Sequence, residues 1–116
     1  MDQRLSKALE FANYSLTLSN QKRILQEKFF EDCLYFAQGR QFTVTPVLIN
    51  FVSLLSKESR DNSAIIIDDN NTPVIISDLE SFLSDILECY STASQEYHDK
   101  YLELSKKRSV ESLIDE

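Results

Sequence analysis

The chain has 116 residues, 42% of them hydrophobic and 27% charged, and its formal net charge is −7. This length and composition predict one globular domain with a modest core that needs no disulfide bonds. Residues 59–116 carry five Lys and Arg against thirteen Asp and Glu, which disfavours the basic surface that phosphate binding requires. We therefore expect no nucleic-acid partner.

The cysteines and the hydropathy pattern indicate the cellular compartment in which the protein is expected to reside. Cys33 and Cys89 are far apart in sequence and form no CxxC motif, so reduced thiols are expected rather than a zinc site or a disulfide. No segment has the pattern of a signal peptide, and no apolar stretch approaches the roughly 18 residues of a membrane span. The sequence predicts a soluble cytoplasmic protein without membrane association.

The first predicted element is a long helix over residues 2–38. Apolar residues recur there at spacings of three and four. Residues 14–20 alternate like a strand, but strong helix formers follow, so we predict helix there with a kink or break near Ser19-Asn20 as the alternative. Gly39 is the one glycine of the chain and follows this pattern directly. A glycine in that place commonly ends a helix in the left-handed conformation, so we expect it to do so here.

The middle of the chain predicts a small sheet and a short helix. Residues 41–45 alternate like a strand, and Thr45-Pro46 is a typical helix start for a helix ending near Lys57. Residues 64–68 and 73–76 predict a hairpin around an Asp/Asn turn. That turn lacks the glycine and the downstream glutamate of a calcium loop. Together the three strands predict a three-stranded antiparallel sheet.

The last predicted helix covers residues 77–104. Ser77 and Glu80 have the spacing of a capping box, and an apolar seam of about 40 Å follows. A second capping pattern begins at Ser109. We therefore predict an α+β domain with a helical stalk over residues 1–108, and residues 109–116 as a C-terminal tail or short helix that either packs on the body or docks elsewhere.

Motifs that carry catalysis are missing from the sequence. His98 is the only histidine and has no second histidine at helical spacing, and a single glycine cannot build a phosphate-binding loop. No GxSxG or SxxK element is present. We predict that the protein is not an enzyme and binds no cofactor or metal, while a small hydrolase or nuclease would require polar groups that converge in a cleft.

The predicted function is structural. Two long helices that pair antiparallel on either side of the insert would leave outer apolar faces uncovered, and a symmetric homodimer is the simplest cover. The leading prediction is a non-enzymatic structural, assembly or adaptor protein that self-associates through these helices, with a larger assembly as a further partner. The alternative is a regulatory module that docks a larger complex through its C-terminal tail. The candidate interaction residues are Leu5, Leu9, Leu16, Tyr90, Tyr97, Tyr101, Leu104, Val110, Leu113 and Ile114.

Two stretches of the sequence resemble those of a known group of proteins. Residues 8–21 (ALEFANYSLTLSNQ) and residues 106–113 (KKRSVESL) are similar to small uncharacterised proteins of tailed marine bacteriophages of the cyanophage type. The resemblance implies a phage setting, either the host cytoplasm or the virion, and an assembly or accessory role. It implies no site residues.

Overall fold

The computed structural model describes the backbone of residues 3–114 and the side chains of residues 3–107. Over that range the order of elements is α1 (Gln3–Asp32), β1 (Leu34–Ala37), β2 (Arg40–Thr43), α2 (Pro46–Glu58), β3 (Ala64–Ile67), β4 (Pro73–Ile76) and α3 (Leu79–Ile114). This confirms the α+β class and the long helices that flank an insert containing strands. The described strands form two separate antiparallel pairs, β1–β2 and β3–β4, so the predicted three-stranded sheet is wrong.

The first helix is shorter than predicted because its expected last turn is a strand. β1 pairs with β2 so that Tyr35 lies opposite Phe42, and Gln38 and Gly39 link the two strands with φ of 54° and 72°. Positive φ at both central residues is typical of the tight turns that join paired strands. Gly39 therefore closes a hairpin rather than a helix. The missed signal is the aromatic, strand-favouring run just before it.

Both later helices begin at capping side chains. Thr45 Oγ1 accepts a hydrogen bond from Leu48 N–H at 3.1 Å and Pro46 is the first residue of α2, as predicted. In α3 the cap is Asp78 rather than the predicted Ser77, because Asp78 Oδ1 accepts from Ser81 N–H at 3.1 Å. Asn62 supports the same helix end, since its carbonyl oxygen accepts from Leu79 N–H at 2.9 Å.

The backbone of α3 continues beyond the predicted end near Leu104. It is helical without a break from Leu79 through Ile114, so most of the segment predicted as a separate tail or short helix extends α3. No Gly or Pro interrupts this stretch, and lysine and arginine are good helix formers. The side chains of Val110, Leu113 and Ile114, named for docking, lie outside the described residues.

The chain divides into two compact units. The terminal unit comprises Met1–Lys28 and Tyr97–Glu116, and the central unit comprises Phe29–Glu96. The hydrophobic core lies in the central unit, where side chains of both hairpins, α2 and α3 meet. Its buried members are Phe42, Val44, Val52, Ile66, Val74, Ile76, Leu79, Phe82 and Ile86.

Asp69 forms hydrogen bonds that link the two hairpins of the central unit. Asp69, in the turn after β3, accepts hydrogen bonds from Thr43 N–H at 2.9 Å, from Thr43 Oγ1 at 2.7 Å and from Gln41 Nε2 at 2.9 Å. The N–H of Asp69 donates to the carbonyl oxygen of Gln41 at 3.0 Å. Partial burial raises the pKa of Asp69, but the hydrogen bonds from Thr43 and Gln41 outweigh it and leave the pKa below its usual value.

We expect Asp69→Asn to lower the free energy of unfolding by about 1–2 kcal/mol at neutral pH, because charge-assisted hydrogen bonds are lost. A folded-state pKa below the unfolded value of about 3.9 stabilises the fold above that pH, and this contribution disappears as the carboxylate protonates. Urea unfolding at several pH values gives the free energy of unfolding of the wild-type protein and of the Asp69→Asn variant. The gap between them should be constant above about pH 5 and close as the pH falls below about 4. A gap that persists in acid would contradict the assignment.

Candidate interaction surfaces

The terminal unit exposes the leucines that were predicted to form an interface. Leu5, Leu9 and Leu16 are 54%, 50% and 63% exposed. None of the described residues of α1 is fully buried, and its less exposed side chains are only partly buried. Helix residues of this type normally face a packed partner. These side chains therefore form an apolar surface on α1 that the protomer leaves in contact with water.

The aromatic residues predicted for the same interface occupy different environments. Tyr97 and Tyr101 make an edge-on ring contact with centroids 6.4 Å apart, and Lys22 Nζ lies 5.8 Å from the Tyr101 ring centroid. Tyr90 instead packs within the central unit, where its ring lies 5.9 Å from that of Phe29 and against the core. Tyr90 therefore has a packing role inside the protomer.

A shallow groove lies in the terminal unit between its two helical segments. Its volume is about 200 Å³. The lining residues, which define the terminal groove, are Gln21, Ile24, Leu25, Lys100, Glu103, Leu104 and Lys107. Leu104 was predicted as an interface residue, whereas Ile24 was not and is 56% exposed. The groove combines an apolar floor with charges of both signs.

The central unit has exposed apolar faces that the sequence analysis missed. On α2, Val47, Phe51 and Leu54 are 77%, 48% and 57% exposed and follow one another at helical spacing. On the outer side of the β3–β4 hairpin, Ile65 lies opposite Ile75, and both are more than 60% exposed. The continuous apolar runs AIII and PVII are the available signal, since a strand with one wet face normally alternates.

A second groove, in the central unit, is strongly acidic. Its volume is about 430 Å³. Its lining residues, which define the central groove, are Asp32, Tyr35, Asp85, Glu88, Cys89, Thr92, Ala93 and Glu96. Tyr35 Oη donates to Asp85 Oδ2 at 2.7 Å, and burial together with this hydrogen bond raises the pKa of Tyr35 to about 12. The four carboxylates suit a cationic group rather than an anion.

The two units differ sharply in charge. The central unit contains three Lys and Arg against eleven Asp and Glu, and the terminal unit contains nine against eight. The acidity of the chain therefore belongs to the central unit. Two copies of that unit would repel each other at low ionic strength, whereas two terminal units would not.

The cysteines are both free and poorly suited to nucleophilic chemistry. Cys33 is buried, and Cys89 Sγ lies 3.4 Å from the carbonyl oxygen of Asp32. Burial is the main cause that raises the pKa of both thiols; the neighbouring Cys89 and then Asp32 raise the pKa of Cys33 further, and Asp32 raises that of Cys89. Because the thiolate is the reactive form, a raised pKa keeps these sulfur atoms unreactive near neutral pH.

The remaining candidates have ordinary structural surroundings. His98 is exposed on α3, with its Nδ1 3.9 Å from Asp99 Oδ1. Within the described range, no cluster of three or more His, Cys, Asp or Glu side chains has the geometry to hold a metal ion. The described helices also include none with the length and hydropathy of a membrane span.

Comparisons with known proteins detect no relative of this chain. No family model matches the chain, and neither the curated proteins nor the solved structures include a detectable match. The exposed surfaces described above are therefore the features that bear on function.

Proposed function

We propose that the protein is a non-enzymatic assembly or adaptor component that self-associates through the long helices of its terminal unit. The observation that carries this proposal is the exposure of Leu5, Leu9 and Leu16 along α1, a helix that buries no described residue within the protomer. If the similarity of residues 8–21 and 106–113 to small phage proteins reflects a relationship, the assembly is that of a phage.

Self-association is expected because a long helix with an exposed apolar face lacks the packing that stabilises most helices. An isolated helix is marginally stable in water, and most helices in proteins gain their stability by packing an apolar face. Fully burying a leucine side chain is worth about 1.5–3 kcal/mol, so each half-exposed leucine could still contribute roughly 1 kcal/mol. A second copy that covers this face would supply that contribution on both protomers at once.

Sedimentation velocity across micromolar concentrations tests the proposal. We expect the wild-type chain to sediment as a dimer or larger, and the double variant Leu9→Glu, Leu16→Glu to sediment as a monomer, because burying carboxylates in the interface is costly. Leu54→Glu is the matched control, since Leu54 is also a helix leucine and is 57% exposed, but lies on α2 of the central unit.

The outcomes separate clearly. A wild-type chain that stays monomeric at every concentration would contradict the proposal. Dissociation by Leu54→Glu, with the double variant still associated, would move the interface to the central unit.

A further inference from the structure

We infer that the terminal groove is the binding site for a second copy of the chain, and that Ile24 of each protomer inserts into the groove of the other. This inference rests on the proposed self-association and specifies the surface that performs it. The candidate interface residues from the sequence include Leu104 but neither Ile24 nor Leu25.

The shape of the groove fits this role. It is formed by residues 21–25 of α1 and residues 100–107 of α3, with Leu25 and Leu104 half-buried. In packed helices, a side chain from one helix inserts into a hole between side chains of its partners. Ile24 is 56% exposed and itself lines the groove, so each copy presents both the inserting side chain and the receiving hole.

That pairing is self-complementary. A two-fold axis brings the same patch of both protomers together, so residue i of one copy meets residue j of the other and the reverse. The terminal unit meets this requirement because the exposed Ile24 side chain lies beside the terminal groove. One residue type, Ile24, therefore makes two equivalent contacts, one in each groove. The result is a closed dimer rather than an open chain of copies.

The charges of the groove also favour a second copy. Lys100 and Lys107 line it together with Glu103, and the exposed Lys100 Nζ lies 3.9 Å from Glu103 Oε2. Across a two-fold axis, Glu103 of one copy would face the lysines of the other, which matches opposite charges at the rim. A contact between two central units would instead bring together two units that each carry eleven acidic residues against three basic ones.

The available area is close to what a stable dimer needs. At about 1.5 Å per residue and about 10 Å in width, α1 from Gln3 to Lys28 presents a face of roughly 400 Å². The part of α3 from Tyr97 to Lys107, whose side chains the structure describes, adds roughly 160 Å². Together these faces present roughly 550 Å², near the lower end of specific interfaces at about 600 Å² per partner.

The test compares Ile24→Glu with Leu102→Glu by sedimentation. Leu102 is 45% exposed in the same unit but does not line the groove, which makes it the matched control. Ile24→Glu should raise the dimer dissociation constant about 30-fold or more, as expected for a central interface residue, and Leu102→Glu should leave it nearly unchanged. Because Ile24 is already exposed in the protomer, circular dichroism should show an intact fold.

A second measurement does not depend on weakening the dimer. If Ile24 lies near the two-fold axis, Ile24→Cys treated with oxidised glutathione should form a covalent dimer on a non-reducing gel, and Leu102→Cys should not. Each new disulfide releases two molecules of reduced glutathione. Cys33 and Cys89 are present in both variants and therefore cancel in the comparison.

Failure of this inference differs from failure of the proposed function. A wild-type dimer that is lost in Leu9→Glu, Leu16→Glu but kept in Ile24→Glu, without a cross-link through Ile24→Cys, would overturn the groove while self-association through α1 stands. A monomeric wild-type chain would overturn both.

Discussion

Phe82→Ala should lower the free energy of unfolding by about 3–5 kcal/mol, a large part of the stability of a domain this size. Phe82 is 4% exposed, and its ring makes edge-on contacts with Phe42 at 5.3 Å and Tyr35 at 5.7 Å between centroids. Removing the ring leaves a cavity where α3 meets the β1–β2 hairpin. Urea unfolding followed by far-ultraviolet circular dichroism measures the change.

Phe36→Ala is the matched control for this loss. Phe36 belongs to β1, like Tyr35, but points the other way and is 65% exposed. Truncating an exposed side chain usually changes stability by no more than about 0.5 kcal/mol. If the two variants lost equal stability, the core would not be centred on Phe82.

Asp68→Ala should cost about 2–3 kcal/mol, because two hydrogen bonds to the turn after β3 are lost together. Asp68 is 4% exposed, and its Oδ1 accepts from Asn70 N–H at 2.9 Å and from Thr72 N–H at 2.8 Å. Both N–H groups would be left without this acceptor. Thermal or urea unfolding of the variant measures the loss.

Asp68→Asn separates the hydrogen bonds from the charge of this side chain. The amide keeps an oxygen in the place of Oδ1, and Oδ2 has no hydrogen-bond partner among the described residues. We therefore expect the asparagine variant to lose less than about 1 kcal/mol. An equal loss in both variants would show that the second carboxyl oxygen, rather than the two accepted hydrogen bonds, holds the turn.

Local signals in the sequence predicted the elements whose ends are set by nearby residues. Thr45 and Pro46 start α2 as predicted, and the Asp/Asn turn joins β3 and β4 as predicted. Such features depend on side chains that bond to their own neighbouring backbone. They can be identified without knowing the rest of the fold.

Features that depend on distant partners were missed or misassigned. β1 follows α1 almost directly, so its aromatic residues could be read as further helix until its pairing with β2 was known. The three-stranded sheet failed for a related reason, since Asp69 links β2 to the other hairpin through hydrogen bonds of its side chain and N–H, and not through a strand ladder. Sequence periodicity contains no information about such a link.

The candidate surfaces divide in the same way. Leu5, Leu9 and Leu16 could be selected from the sequence because helical spacing places them on one face of α1. Ile24 was missed because the terminal groove exists only when α1 and α3 segments are brought together. The apolar outer face of the β3–β4 hairpin was detectable in principle, because both strands lack polar residues in alternation.

That isoleucine face has a consequence for the behaviour of the protein in concentrated solution. Exposed apolar strands tend to aggregate, and natural proteins often prevent this aggregation with charged residues. Here the protection is the surplus of carboxylates in the central unit, which keeps separate molecules apart at neutral pH. Near the isoelectric point of about 4.7 the net charge of the whole chain falls to zero, so the net repulsion between molecules is lost and acidification to that pH brings the chain closest to precipitation.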